Sequence, residues 1–366
     1  GWTLDQSGTQ FLTDYTGKGS GNWTTPKDTV LYAKWVDVFK FYKLANGNYS
    51  IIGYHEGITY LSEVTIPSMY DGKLVEIIEG QAFSNVTTMK VVNIPDTVQY
   101  VETGIYGINN SGSAFYYCTN LTYINVYYVI GNHERMYASC DGVLFYKKGH
   151  TPDETTIFAE LKGYPVARTA TTYTVPSTFE VRIGEAESAV QNETWKVTVI
   201  GRRAFYNTQV GELTIPSTVE KVESYGFFLN FDLEKITFLA TAEDETASNL
   251  ILDNKAIFSN YYLKQLVLPS RLKDFAVGQI DSCNELANVS IVGEGGDYVI
   301  KENMICADKG ATLVWVPQGI DKNVIIPSGV TKIGARAFEK LAITSVVIPE
   351  WVEQIESNAF YSCSQL

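Results

Sequence analysis

The chain has 366 residues, 28 of them basic and 41 acidic, for a net charge of −13. A surface of that sign repels phosphate backbones and anionic lipid, which argues against nucleic-acid partners and unassisted membrane binding. Aromatic residues make up 13%, with 24 Tyr and 17 Phe, against only 19% charged residues, the profile of a folded, strand-rich, extracellular type of protein.

In chain order, the first predicted element is a hairpin. "FKFYKLANGNYSIIGY" alternates apolar and polar residues on both sides of Asn46-Gly47, a strong two-residue turn signal. It is expected to cap, within residues 36–60, the exposed edge of the downstream repeats, because the ends of stacked repeats need covering. No run approaches the ~18 apolar residues of a membrane span, and no signal peptide is present. Since Gly1 starts abruptly, the chain reads as a mature fragment, and the missing signal says nothing for the cytoplasm.

Self-similarity dominates the rest. "IIPSGVTKIGARAFEKLAITSVVIP", from Ile325, aligns with "VIPEWVEQIESNAFYSCSQL", from Val347, so that Pro327 and Pro349, and likewise Phe338 and Phe360, stand 22 residues apart. The frame recurs at Pro67, Pro95, Pro176, Pro216 and Pro269. An aromatic or aliphatic residue comes 11 positions after Pro216, Pro269, Pro327 and Pro349, at Phe227, Ile280, Phe338 and Phe360. In three other coils the distance stretches to 16, 20 and 29 residues, reaching Phe83, Phe115 and Phe205. These insertions share one place, between proline and aromatic, which marks a loop on one edge of the array.

A small residue precedes the aromatic, as at Ala82, Ala114, Ala204, Gly226, Ala337 and Ala359, where the backbone is expected to approach a neighbouring coil. After the aromatic come alternating apolar residues, as in Leu121, Ile124 and Val126, the signature of a half-buried strand. The next proline, lacking an N–H, ends that strand. One coil of about 22 residues buries too little apolar surface to stand alone, so the coils must stack. The predicted fold is a β-rich repeat solenoid with variable insertions, about ten coils at ~4.8 Å each, on the order of 50 Å long.

Five cysteines at wide spacing, with no C-x-x-C pair, give neither a disulfide framework nor a zinc site. Cys118, Cys283 and Cys363 each stand three residues after the aromatic position, where other coils have Val86 or Asn230. A site that accepts Cys, Val or Asn is expected to line a turn, packing or bonding to its backbone. Cys140 and Cys306 lie off this ladder and have no assignment.

Catalytic signals are sparse. His55, His133 and His150 have no ligand spacing, "GKGSGN" from Gly17 does not join a strand to a helix, and Glu243, Asp244 and Glu245 look like a solvated loop. Nucleophile-elbow, H-E-x-x-H, Walker and calcium-loop patterns are absent. What remains is surface: Thr122, Tyr123 and Asn125, then Glu234, Lys235 and Thr237, then Ala287, Asn288 and Ser290 are expected to face outward on successive strands, the kind of extended face solenoids use for binding. Tyrosine is concentrated at Tyr106, Tyr116, Tyr117, Tyr123, Tyr127 and Tyr128, a candidate contact surface; ordinary strand-surface tyrosines are the alternative.

These motifs carry a resemblance. "IPSTVEKVESYGFFLNFDLEKITF", "IPSGVTKIGARAFEKLAITSVVIP" and "AFYYCTNLTYINV" resemble the BspA-type leucine-rich repeats of bacterial surface proteins, over roughly residues 38–366. "CDGVLFY" and "KNVIIPSGV" are similar to that family's linking segments, and "IPSMYDGKLVEIIEGQAF" to its first repeat, in which a short hairpin precedes Ala-Phe. Residues 1–35, with "GWTLDQSGTQFL" and "TVLYAKW", resemble the second half of an internalin-type β-repeat, a β-grasp-like module. The resemblance implies three parts: an incomplete module over 1–35, a cap over 36–60 and a leucine-rich-repeat right-handed superhelix over 61–366, broken off inside a repeat with its last edge uncapped. It further implies a cell-surface or secreted, non-enzymatic adhesin of a host-associated bacterium, without cofactors or metals, whose partners are extracellular glycoproteins such as fibronectin or fibrinogen. A display stalk and a polysaccharide-active enzyme are the rival functions.

Overall fold

The computed structural model describes residues 2–3, 32–33, 37–55, 58, 60–102, 112–129, 134–183, 191–240 and 248–366. Within residues 1–35 it gives one pairing, Trp2–Thr3 antiparallel to Tyr32–Ala33. The remainder of that segment, with "GKGSGN", lies outside the described residues, as do Tyr106, His133 and Glu243 to Glu245.

The hairpin joins Phe39–Lys43 to Tyr49–Tyr54, and its second strand runs parallel to Lys73–Ile78. It thereby carries the hydrogen-bonded stack beyond the first coil. Tyr54 completes the contact by meeting Phe83 edge to face, with centroids 5.1 Å apart.

Period-2 alternation produces the expected parallel strands. Glu63–Thr65, Val91–Pro95 and Tyr123–Tyr127 stack in register and turn Val64, Val92 and Ile124 inward. A second stack contains Thr169–Thr174, Gln209–Ile215, Lys235–Phe238, Gln265–Pro269 and Asn288–Val292. The third contains Asn323–Ile325 and Ser345–Val347. Three apolar clusters fill the interior, centred on residues such as Phe83, Phe227 and Phe338.

At each corner the aromatic residue is the pivot. Its N–H donates to the carbonyl just before the next coil's pivot: Phe83 to Ala114 at 2.8 Å, Phe227 to Ala256 at 3.0 Å, Phe338 to Ala359 at 2.8 Å. The rings then stack, Phe83 on Phe115 at 5.6 Å, Phe205 on Phe227 at 5.5 Å and Phe338 on Phe360 at 4.8 Å. Residues two before and two after the pivot adopt left-handed backbone, as at Gln81 and Asn85, Tyr225 and Leu229, and Asn358 and Ser362, with φ from 58° to 64°. That conformation costs a non-glycine residue about 1–2 kcal/mol. Here it is offset, because it aims N–H groups along the stack: Tyr225 donates to Lys255 at 2.8 Å and Leu229 to Phe258 at 3.3 Å.

Three features depart from the sequence expectation. A coil with Leu250–Leu252, Ala256 and Ile257 has no proline and escapes the proline frame, although Ile257 N–H donates to the Gln279 carbonyl at 3.0 Å as a pivot should. Tyr164 and Val316 are also pivots, donating to Ala204 and Ala337 at 2.8 and 3.1 Å. Finally, "KNVIIPSGV" is an ordinary coil strand rather than a link. The second link is the hairpin Val299–Lys301 with Met304–Ala307, which matches Tyr137–Cys140 with Val143–His150. Both turn on consecutive left-handed residues, Asp141-Gly142 and Glu302-Asn303. Both lead through a strand to a pivot with proline next in the chain, Tyr164-Pro165 and Val316-Pro317.

Insertions fall between proline and pivot. Met69–Tyr70 pairs with Lys73–Ile78, and Thr178–Ile183 with Gln191–Ile200, each as an antiparallel hairpin. The insertion containing 103–111 lies outside the described residues.

Candidate interaction surface

The outward residues expected on the strands are solvent-facing. Tyr123, Glu234, Asn288 and Ser290 are exposed, and Thr122, Asn125, Lys235, Thr237 and Ala287 half-buried. In the first stack they form a bonded row. Asn125 Nδ2 donates to Asn93 Oδ1 at 3.2 Å, and Asn93 Nδ2 to Glu63 Oε1 and Thr65 Oγ1 at 3.0 Å each. Side chains so held across three coils lose little further entropy on meeting a partner.

The tyrosines divide into two groups. Tyr116 and Tyr117 meet edge to face at 5.3 Å on the corner after Phe115. Tyr123, Tyr127 and Tyr128 belong to the outward strand and its end, and among the described residues no ring contact joins the two groups. Tyr123 lies against Gly142, where a Cβ would strike its ring. Tyr127 Oη donates to the Ile66 carbonyl at 2.6 Å, two coils back. Burial first, and then the Asp96 charge, push its phenol above the usual range. Tyr128 lies 5.1 Å from the Arg135 guanidinium carbon, in cation–π contact.

Arg135 shows what the sequence concealed. Its Nε meets Asp96 at 2.6 Å, and Asp96 Oδ1 also accepts the Val129 N–H at 2.9 Å. Together they tie the end of the tyrosine strand to the first linking hairpin. The pair stands at a cleft of about 240 Å³ lined also by Tyr127, Tyr128, Asn125, Ser139 and Arg182. One sequence signal was available: Asp96 stands directly after its coil's proline, where Ser68, Ser177, Ser217, Ser270 and Ser328 stand after theirs and only Glu350, after Pro349, is likewise acidic.

The thiols belong to packing. Cys118 and Cys363 donate to the pivot carbonyl one coil back, Phe83 at 3.1 Å and Phe338 at 2.9 Å. Asn260 makes the same bond to Phe227 at 2.6 Å. Burial raises the Cys118 and Cys283 thiols to about 12 and Cys306 to about 11, and also raises Cys140 and Cys363, which leaves little thiolate for nucleophilic chemistry at neutral pH. His55 and His150 are exposed. Among the described residues no group of three His, Cys, Asp or Glu could hold a metal, and no helix is long and apolar enough to cross a membrane.

This repeat matches a known family. The profile of the BspA type leucine rich repeat region is found in six copies, over residues 53–141, 189–304 and 321–366. The chain belongs to this family. No curated protein matches the chain. Among solved structures it is similar to a leucine rich cell surface protein from Faecalibacterium prausnitzii A2-165, at 19% identity over 91% of this chain and 86% of that one, with a TM-score of 0.47. It is also similar to the pneumococcal vaccine antigen PcpA, at 13% identity over 62% and 68% of the two chains and a TM-score of 0.34. A leucine-rich repeat protein from Eubacterium ventriosum ATCC 27560 gives 17%, 60%, 61% and 0.34 in the same terms. As a BspA-type repeat protein, the chain devotes its inward positions to stacking, which leaves the outward rows and the junction clefts as its distinctive chemistry.

Proposed function

We propose that this protein is a cell-surface or secreted binding module without enzymatic activity, and that its outward repeat face holds an extracellular protein or glycoprotein. Host matrix and plasma glycoproteins, fibronectin and fibrinogen among them, are the partners we favour, which makes it an adhesin of a host-associated bacterium. The observation that supports this most is the bonded row Asn125, Asn93 and Thr65 beside Tyr123 and the Tyr127–Tyr128 cleft. It is an ordered, aromatic and polar surface of the kind that supplies binding hot spots. We further propose that residues 1–35 form part of a β-grasp-like module and that the hairpin within 36–60 caps the repeats of 61–366.

The test is a binding array of matrix proteins, mucins and glycans, run with the protein and with its Tyr123→Ala/Tyr128→Ala variant. Binding to a glycoprotein that the variant loses supports the proposal. Binding that both retain removes the tyrosine surface, and no binding at all favours a display stalk. A fall of at least about tenfold in affinity is expected for two hot-spot aromatics.

A further inference from the structure

The outward strand stack is interrupted between Asn288–Val292 and Asn323–Ile325, where the second linking hairpin intervenes. As a result, Asn323–Ile325 pairs with Ser345–Val347 alone, and among the described residues its other edge has no strand partner. An unpaired edge offers a row of N–H and C=O groups to any chain that can add to it. Beside this strand lies a groove of about 500 Å³ lined by Met304, Ile320, Ile325 and Trp351, with Glu302 and Asp321. That volume falls within the ~300–1,000 Å³ of ordinary ligand sites.

Two further observations define the occupant. The outward row that holds Thr174, Thr214, Thr237, a buried Val267 and Ser290 in the second stack holds Ile325 and Val347 here, 65% and 54% exposed, with Trp351 44% exposed. Apolar side chains left open together, where the same row elsewhere is polar or covers its one valine, mark an interaction site. The ionisable groups lining the groove, Glu302 and Asp321, are both acidic. Lys301, adjacent in sequence, directs its ammonium to the Ser328 carbonyl at 2.8 Å.

We infer that this edge and groove bind an extended peptide segment by strand addition, with an aliphatic side chain on Ile325 and Trp351 and a lysine or arginine facing Glu302 and Asp321. Main-chain bonds to the open edge supply affinity, and the apolar and acidic lining selects sequence. The site belongs to the second junction and does not depend on the tyrosine surface.

The probe is a short fluorescein-labelled peptide alternating valine with lysine and threonine, monitored by anisotropy against the whole protein. Saturable binding is expected, weakened at least ~10-fold by Ile325→Thr or Trp351→Ala, by glutamate in place of the peptide's lysines, or by proline at an edge-bonding position. Tyr123→Ala/Tyr128→Ala should leave it unchanged. Ile325→Thr installs a residue other coils carry, so an unaltered circular dichroism spectrum and Tm are expected. Absence of saturable binding overturns the inference, as does equal binding of the glutamate peptide or indifference to both groove variants. Self-association that Ile325→Thr abolishes would also overturn it, by assigning the edge to a second copy.

Discussion

Replacing Asn260 with alanine removes three hydrogen bonds from the interior of the corner stack. Asn260 is fully buried. Its Oδ1 accepts the Asn230 amide at 3.1 Å and Asn230 Nδ2 at 3.2 Å, while its Nδ2 donates to the Phe227 carbonyl at 2.6 Å. Asn230 in turn accepts both the amide and the hydroxyl of Thr208 at 2.8 Å. The variant therefore strands three buried groups, the Asn230 amide, Asn230 Nδ2 and the Phe227 carbonyl, at about 1–3 kcal/mol each, and a total of at least about 3 kcal/mol is expected. Repeat arrays do not always unfold in two states, so the loss is best measured locally. Hydrogen exchange of the peptide containing Asn230, monitored by mass spectrometry, should accelerate on the order of 100-fold. Asn260→Cys keeps a donor for the Phe227 carbonyl, as Cys118 and Cys363 do in their coils, but offers Asn230 no comparable acceptor. It should fall between wild type and alanine. An acceleration below about tenfold for alanine, or identical exchange for cysteine and alanine, would refute the claim that this position binds one coil to the next.

Three other outcomes rest on the same stack. Phe227→Ala should cost about 3–5 kcal/mol, because the ring is fully buried and stacked on Phe205, whereas Phe360→Ala, half-buried on the last coil, should cost under about 2 kcal/mol; urea midpoints test the order. Stability should fall as pH rises above the ordinary thiol range. Cys118 and Cys283 keep their protons to about 12 in the fold but lose them near 8.5 when unfolded, so the native state binds more protons between those limits. Half-buried Tyr54 and buried Tyr137 and Tyr173, all raised mainly by burial, add the same sign at higher pH; circular dichroism from pH 8 upward tracks both. Tyr117→Asn should raise Tm or leave it unchanged, since Tyr117 is 57% exposed with a φ of 61° and asparagine tolerates left-handed backbone better.

The regular coils were legible because one physical requirement repeats. Each inward residue must meet its counterpart one coil away, so Ile215, Val219, Val222 and Phe227 recur in the same frame as Ile326, Val330, Ile333 and Phe338. The coil around Ile257 was hidden because proline only punctuates a strand. Its absence removes the mark without removing the pivot's hydrogen bond. Tyr164 and Val316 were hidden for another reason: each is reached from a linking hairpin, so no proline frame precedes it. The tyrosines cluster along the chain, but that spacing could not tell the corner pair Tyr116–Tyr117 from the strand group around Tyr127. Nor could it bring Arg135 to Asp96, since that contact depends on how the first linking hairpin folds back.

A stack of identical coils satisfies itself. From Phe205 to Ile257 every pivot N–H finds a carbonyl in the next coil, so recognition there is confined to exposed side chains. The linking hairpins break that sufficiency. The clefts of about 240 and 500 Å³ contain Arg135, Tyr137, Ala138 and Ser139 from the first link and Glu302 to Met304 from the second, and a third, of about 190 Å³, contains Trp315, Val316 and Gln318 where the second link rejoins the stack. At this last place Gln318 Oε1 accepts the Cys283 amide at 2.6 Å, repairing with a borrowed side chain the bond that Asn230 and Asn260 make in regular coils. Among the described residues no such repair extends to the edge of Asn323–Ile325. A link therefore costs the array a row of backbone pairing and leaves, in exchange, a concave surface whose residues are free of the repeat's constraints. Within one BspA-type array, specificity can change at the junctions while the coils that support them stay the same.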